Sequence, residues 1–222
     1  MRLLVLSCVV CSGLFAAVPP ELTEALKNFR GDPPKGWSFT QTTAGEGKST
    51  VERCDAAKPE FDRWTLIRKD GHPPTDDEAR DYFEVRSRRS RGGTAPKLTD
   101  QFDLNTLENV SDTPERATFR LRLRAGEAAD KTAEFLRVTL VLHKPTRTLE
   151  SIELASTGEF SPTFGVKIAE MKTALSYSVP TAERPSLPQT VTTRLRGRAF
   201  LFKSLDADLT VTFSDYERVG KK

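Results

Sequence analysis

Apolar and polar residues alternate along most of the chain. Ala117, Phe119, Leu121 and Leu123 are interleaved with Thr118, Arg120 and Arg122, and flanked by Arg116 and Arg124. The same period of two runs through Leu136, Val138, Leu140 and Leu142, and returns in Leu149–Leu154. It continues in Phe164, Val166 and Ile168, and in Leu175 and Tyr177. Val191, Thr193, Leu195, Gly197 and Ala199 follow, against Arg194, Arg196 and Arg198, and then Leu209, Val211 and Phe213. Upstream, Trp37 and Phe39 alternate with Ser38 and Thr40, residues 50–54 form a short strand, and Phe61–Arg68 carries Trp64 and Leu66 on one face. A period of two with one apolar and one polar face predicts strands that bury one side only.

Two segments break that period. Leu22, Ala25, Leu26 and Phe29 lie at i, i+3, i+4 and i+7, one face of a helix, which Gly31 and Pro33-Pro34 end. A second helix is predicted near 75–91. It opens on Thr75-Asp76-Asp77-Glu78, a capping box in which Thr75 and Glu78 satisfy each other's backbone amides, and it stops at Gly92-Gly93. Short links between sequential strands favour antiparallel pairing. There is no βαβ rhythm, no glycine-rich phosphate loop and no internal repeat. The predicted fold is therefore mainly antiparallel β (α+β): a strongly curved sheet or half-open β-barrel, with one or two helices packed on the concave apolar side.

The first segment changes the picture. Residues 1–17 run from Arg2 through an apolar stretch, Leu3–Val10, to small residues ending at Ala16-Ala17, the order of a signal peptide. The chain is thus expected to be exported, to the periplasm or the cell envelope, with residues 18–222 as a single domain. Of the 3 cysteines, Cys8 and Cys11 would leave with the signal, so Cys54 remains alone and no internal disulfide staples the domain. No lipid anchor is expected at Cys8, since the apolar stretch ahead of it is shorter than the core of a signal.

Charge excludes more than it assigns. With 34 Lys+Arg against 31 Asp+Glu the balance is near neutral, and aromatic residues do not interleave with the arginines. No nucleic-acid partner is expected. The two histidines, His72 and His143, are too few and too far apart for a histidine metal cluster. Asp206 and Asp208 read as a turn entering a strand, Cys54 as a small apolar strand residue, and neither histidine has a nucleophile signature beside it. No catalytic residue, metal or cofactor is expected. Arg86, Arg88, Arg89 and Arg91, at the end of the second helix, are candidates for anionic headgroups or an acidic partner, through peripheral contact with an anionic membrane surface.

The order of elements resembles the periplasmic carriers of outer-membrane lipoproteins, the LolA/LolB-like superfamily. The residues that carry the resemblance are Trp37-Ser38-Phe39-Thr40-Gln41, the run Lys58-Pro59-Glu60-Phe61-Asp62-Arg63-Trp64, and Leu187-Pro188 ahead of Gly197 and Phe202. The resemblance implies a non-enzymatic protein whose half-barrel, lidded by helices, receives acyl chains. On that basis Trp37, Phe39, Trp64, Leu66, Phe119, Leu121, Leu123, Val138, Leu140 and Leu195 are candidates to line a ligand cavity. Lys58 stands where the carriers have the arginine that holds the lid closed, although lysine lacks arginine's planar fork. The expected ligand is a lipid, acyl chain or lipoprotein. The alternative is an envelope interaction module with the same fold, a filled core and a protein partner.

Overall fold

The first helix, α1 (Pro20–Asn28), opens on a proline whose missing amide costs nothing at that position, with Glu21 in its first turn and Lys27 in its last. In the computed structural model, which describes residues 17–89, 98–124, 132–200 and 202–220, it is followed by a hairpin. Strands β1 (Trp37–Gly45) and β2 (Lys48–Cys54) are joined through Glu46 and Gly47. Both have positive φ, 52° and 75°, the backbone of a tight turn whose twist matches the strands. Strand β3 (Trp64–Lys69) pairs with β2, and α2 (Asp76–Arg89) follows. The capping box at its start is formed: the Glu78 amide donates to Thr75 Oγ1 at 3.3 Å, and the Thr75 amide to Glu78 Oε2 at 3.0 Å.

The rest is strand after strand: β4 (Phe102–Asp112), β5 (Arg116–Leu123), β6 (Leu136–His143), β7 (Thr148–Ser156), β8 (Val166–Tyr177), β9 (Pro188–Ala199), the short β10 (Lys203–Ser204) and β11 (Ala207–Arg218). They form one antiparallel sheet of 11 strands in the order β3-β2-β1-β11-β9-β8-β7-β6-β5-β4, with β10 beside β9. The pairing of β1 with β11 joins the two ends of the chain. Strands β3 and β4 are edges, so the curved sheet stays open, as the alternation predicted.

Register places one row of side chains across nearly the whole sheet. Phe119 faces Leu140, Leu140 faces Ile152, and Ile152 faces Leu175. Leu175 faces Val191, then come Val211, Thr43 and Thr50. The β5–β7 part of this row is closed off by α1: Leu22, Ala25, Phe102, Leu121, Val138, Leu142 and Leu149 complete a core with it. Leu140, Val138 and Ile152 are each 0% exposed. A second cluster, Leu136, Phe160 and Ile168, closes one end of the same face. The other face is wet and paired, with Arg116 to Glu150 at 2.8 Å and Lys172 to Glu153 at 2.9 Å.

Three local expectations are corrected. Glu60–Asp62 is a turn of 3-10 helix, so β3 begins only at Trp64. Phe164 is not a strand residue; it sits on the turn before β8 and is 93% exposed. Strand β4 has no counterpart in the alternation. Its pairing with β5 slips between Asp103 and Glu108 and again between Asn109 and Ser111, so Phe102, Leu104 and Leu107 fall out of period two. Residues 1–16, the body of the expected signal peptide, lie outside the described residues.

Leu140→Ala is expected to lower stability by about 2–5 kcal/mol, because its site is closed on every side. Val191→Ala, on the same face but only half-buried, is expected to cost less than Leu140→Ala, on the order of 1 kcal/mol. Urea unfolding of the two variants measures the contrast.

Candidate apolar site on the inner face

The inner face has a covered region at each side and an open one between. Under α1 the interior is filled. Phe119, Leu121, Val138 and Leu140, four of the cavity candidates, are at most 2% exposed and pack against one another and the helix. Leu123 is half-buried against both apolar clusters.

At the β1–β3 side a second cluster is built from aromatic rings. Phe39 packs edge-on to Trp64 with centroids 5.5 Å apart, and lies 5.8 Å from Phe213 and 5.7 Å from Tyr216. Trp37 is edge-on to Tyr216 at 6.5 Å, and Leu66 is buried. Helix α2 is fastened here by a polar network. Glu52 is 7% exposed on the inner face of β2. Its carboxylate accepts from Arg86 at 3.3 Å and 3.4 Å and from Gln41 Nε2 at 2.7 Å. The Arg86 guanidinium lies over the Trp64 ring, 4.0 Å from its centroid, and its Nε donates to Tyr82 Oη at 3.2 Å. Burial pushes the Tyr82 hydroxyl up to about 12. Glu78, Tyr82 and Arg86 are spaced by four, so all three fall on the helix face turned to the sheet. Lys69 of β3 pairs with Glu78 at 2.9 Å. A cavity of about 290 Å³ remains beside the network, lined by Thr50, Leu66, Tyr82 and Val85 among others.

Between these regions the row continues without a helix over it among the described residues, with Leu175 bordering the α1 core and Met171 and Leu195 bordering the second cluster. Leu175, Val191 and Val211, with Met171, Thr173, Thr193, Leu195 and Thr43, are half-buried, and Leu209 is 41% exposed. The sheet behind them is continuous, α1 packs on β7, and α2 packs on β3. The result is an open apolar stripe across β1, β11, β9 and β8. Leu195 is the one cavity candidate that lies on it. Val191, Val211, Leu209 and Met171 were not singled out from the sequence. Their alternation was visible, but nothing local distinguishes an uncovered alternate residue from a covered one. A further cavity of about 390 Å³ lies past the end of α1, where Phe29 meets Tyr177 edge-on at 5.1 Å with Leu149, Pro34 and Pro180 around them. Burial pushes the Tyr177 hydroxyl up to about 12.

The remaining candidates are placed as follows. Arg86 turns its charge inward to Glu52. Arg88 and Arg89 belong to the last turn of α2, and Arg91 lies outside the described residues. Lys58 is exposed in the link between β2 and β3, where its carbonyl accepts from Arg63 Nε at 3.0 Å. Asp208 pairs with Arg196 at 2.6 Å, and Asp206 accepts from the Gly197 amide. His143 Nδ1 is 2.7 Å from Thr146 Oγ1. Burial pushes the Cys54 thiol above its ordinary value, which keeps it protonated and a poor nucleophile.

Arg86→Met is expected to destabilise the fold by about 2 kcal/mol, less than for a fully buried pair because the guanidinium is partly exposed. Adding Glu52→Leu is expected to restore most of the loss, since the orphaned carboxylate is then gone. A double-mutant cycle in denaturant measures both. The hydrogen bond from Lys69, then that from the Thr75 amide, holds the Glu78 carboxyl at about 2, below its ordinary 4.5. A depressed carboxyl stabilises the fold above its ordinary value and ceases to do so as pH falls through its folded one. Amide exchange in the first turn of α2, corrected for intrinsic rates, is therefore expected to quicken between 4.5 and about 2. Glu78→Gln is expected to abolish that dependence.

No family model matches the chain, and no curated protein matches it. Among solved structures, it is similar to a candidate outer membrane lipoprotein-sorting protein domain from Vibrio parahaemolyticus. The identity is 10%, with 91% of this chain and 93% of that chain covered and a TM-score of 0.36. It is also similar to GphF Dehydratase 1, at 12% identity over 90% of this chain and 82% of that chain, with a TM-score of 0.14. At such TM-scores neither likeness carries an argument, and the fold rests on the strand register.

Proposed function

We propose that the protein is an exported, non-enzymatic carrier that holds an apolar ligand, an acyl chain of a lipid or lipoprotein, along the uncovered stripe of the inner face. One observation carries this reading: a row of side chains that is fully buried at Leu140 and Ile152 runs on, in unbroken register, as half-buried Leu175, Val191 and Val211. An extended hydrocarbon laid on that row would take the place that α1 takes over β5–β7. The affinity would come from apolar burial, about 25 cal/mol for each Å² removed from water, less the cost of association. The order of elements that resembles the lipoprotein carriers supports the same reading. So does the placement of both helices beside the stripe and not on it. No described helix is long and apolar enough to cross a membrane.

The filled interior under α1 favours a second reading, an envelope interaction module that uses this fold as a scaffold. The two differ in what the stripe binds. Native mass spectrometry of protein purified from cells is expected to show co-purifying lipid, and the protein is expected to bind a fluorescent fatty acid. Val191→Asp with Val211→Asp, at half-buried positions, is expected to weaken that binding about tenfold or more, since charges replace apolar contacts. If no lipid co-purifies and the probe does not bind, or if the double variant binds it as well as the parent, the carrier reading fails and the interaction module stands.

A further inference from the structure

Three phenylalanines stand exposed at one end of the sheet. Phe164 and Phe202 are each 93% exposed and Phe200 is 65% exposed. They come from two neighbouring turns, one entering β8 and one leaving β9. The pairing of Val166 with Ala199 brings the turns together, and the Phe200 amide donates to the Gly165 carbonyl at 2.7 Å. Phe200 has a φ of 48°, rare for a bulky residue, and is held there by that bond. Gly165, at a φ of 77°, makes room for it: a Cβ there would lie 2.6 Å from the Phe200 ring. Folding alone gives no reason to present three rings on adjacent turns, because rings left in water forfeit the gain of burial.

Cations lie next to the rings in sequence and register. Arg198 faces Lys167 across β8 and β9, and Lys203 directly follows Phe202. Lys167 is paired with Glu159 at 2.7 Å, whereas Arg198 and Lys203 have no ion-pair partner among the described residues. Beside Phe202 opens a cleft of about 670 Å³, lined by Lys167, Arg196, Arg198, Glu159 and Asp206 among others. Asp206 is bonded to the Gly197 amide, and Arg196 is matched by Asp208.

We propose that this end of the sheet docks on the surface of an anionic lipid bilayer, with Phe164, Phe200 and Phe202 entering the interface and Arg198 and Lys203 meeting headgroup phosphates. The rings stand largely exposed on turns, with little packed over them among the described residues to shape a fixed contact, which suits a soft apolar medium. Apolar insertion and electrostatic attraction add in such peripheral binding, and each cation near the surface contributes separately. This surface is distinct from the stripe and from the arginines at the end of α2, and the inference stands without the carrier reading.

The test uses the full chain and compares variants, so that any contribution of residues 1–16 cancels. Co-sedimentation at low salt is run with vesicles of phosphatidylglycerol mixed with phosphatidylcholine, and with vesicles of phosphatidylcholine alone. The parent is expected to favour the anionic vesicles and to release as salt rises. Phe164→Ser with Phe202→Ser is expected to lower the partition about tenfold or more. Arg198→Glu with Lys203→Glu is expected to erase the preference for anionic lipid. Val191→Asp with Val211→Asp is expected to sediment like the parent, which separates docking from ligand carriage. As a readout that does not depend on loss of function, Phe202→Trp is expected to gain fluorescence that brominated acyl chains quench. Equal sedimentation of the phenylalanine variant and the parent, indole fluorescence that brominated chains leave unquenched, or a parent that ignores both kinds of vesicle would overturn the proposal. Cross-linking of residue 202 to a protein with no vesicle binding would overturn it in favour of a protein dock.

Discussion

The structure depends on one constraint: antiparallel register puts every second residue, the bulges of β4 and a few others apart, of ten neighbouring strands on a single face, and that face has to be covered or left to water. Lengths decide how much can be covered. Ten strands about 4.8 Å apart span roughly 43 Å. Helix α1 has 9 residues, which at 1.5 Å each make about 13–14 Å, and the 14 residues of α2 make about 21 Å. Even laid straight across the strands, the two fall short. Burial follows that arithmetic, with the row closed at Phe119, Leu140 and Ile152 and open from Leu175 to Thr43.

The two helices are fixed by different physics. Leu22 and Ala25 of α1 are buried, and the helix is held mainly by packing against β4–β7, with one exposed ion pair, Glu24 to Arg147 at 2.7 Å, at its side. Helix α2 has little to pack with. Phe83 and Val85 are exposed, and its contact face is Glu78, Tyr82 and Arg86. A part-buried pair such as Arg86 with Glu52 adds little net stability over an apolar pair of the same size, but it fixes one docking geometry, because any other leaves the Glu52 carboxylate without its cation. Helix α2 is thus held in place more by matched polar groups than by area, and it is the easier of the two to lift.

What was legible in the sequence was what is local. The Thr75–Glu78 capping box and the strands β5 to β9 are set by neighbours a few residues apart, and they were found. Strand β4 was not, because its bulges displace Leu107 from the period that Phe102 begins. The sequence groups Arg86 with Arg88, Arg89 and Arg91 as candidates for anionic headgroups or an acidic partner, yet Arg86 is four residues from Tyr82 and eight from Glu78, a spacing that already aims it at the sheet. The hardest distinction was between Val138 and Val191. Both alternate cleanly with polar neighbours, but only the first lies under α1, and that follows from pairing partners tens of residues away, including the β1–β11 join that sets which strands sit in the middle.

The chemistry of the open stripe fits its exposure. Threonines share it with the aliphatic residues: Thr43, Thr173 and Thr193 stand among Val191, Val211, Leu195 and Leu209, and Thr173 bonds Thr193 at 3.3 Å. A stripe of leucine alone would invite aggregation, since a wide contiguous apolar patch is rarely left bare. Threonine keeps a methyl group for contact and a hydroxyl for water, so the surface is tolerable when empty and still rewards cover. Covering a few hundred Å² at about 25 cal/mol per Å² gives on the order of several kcal/mol, most of which association and ligand ordering offset. The net affinity left is modest. A modest affinity fits the proposed carrier, which must give up what it holds, whereas a face more fully apolar would bind harder and release worse.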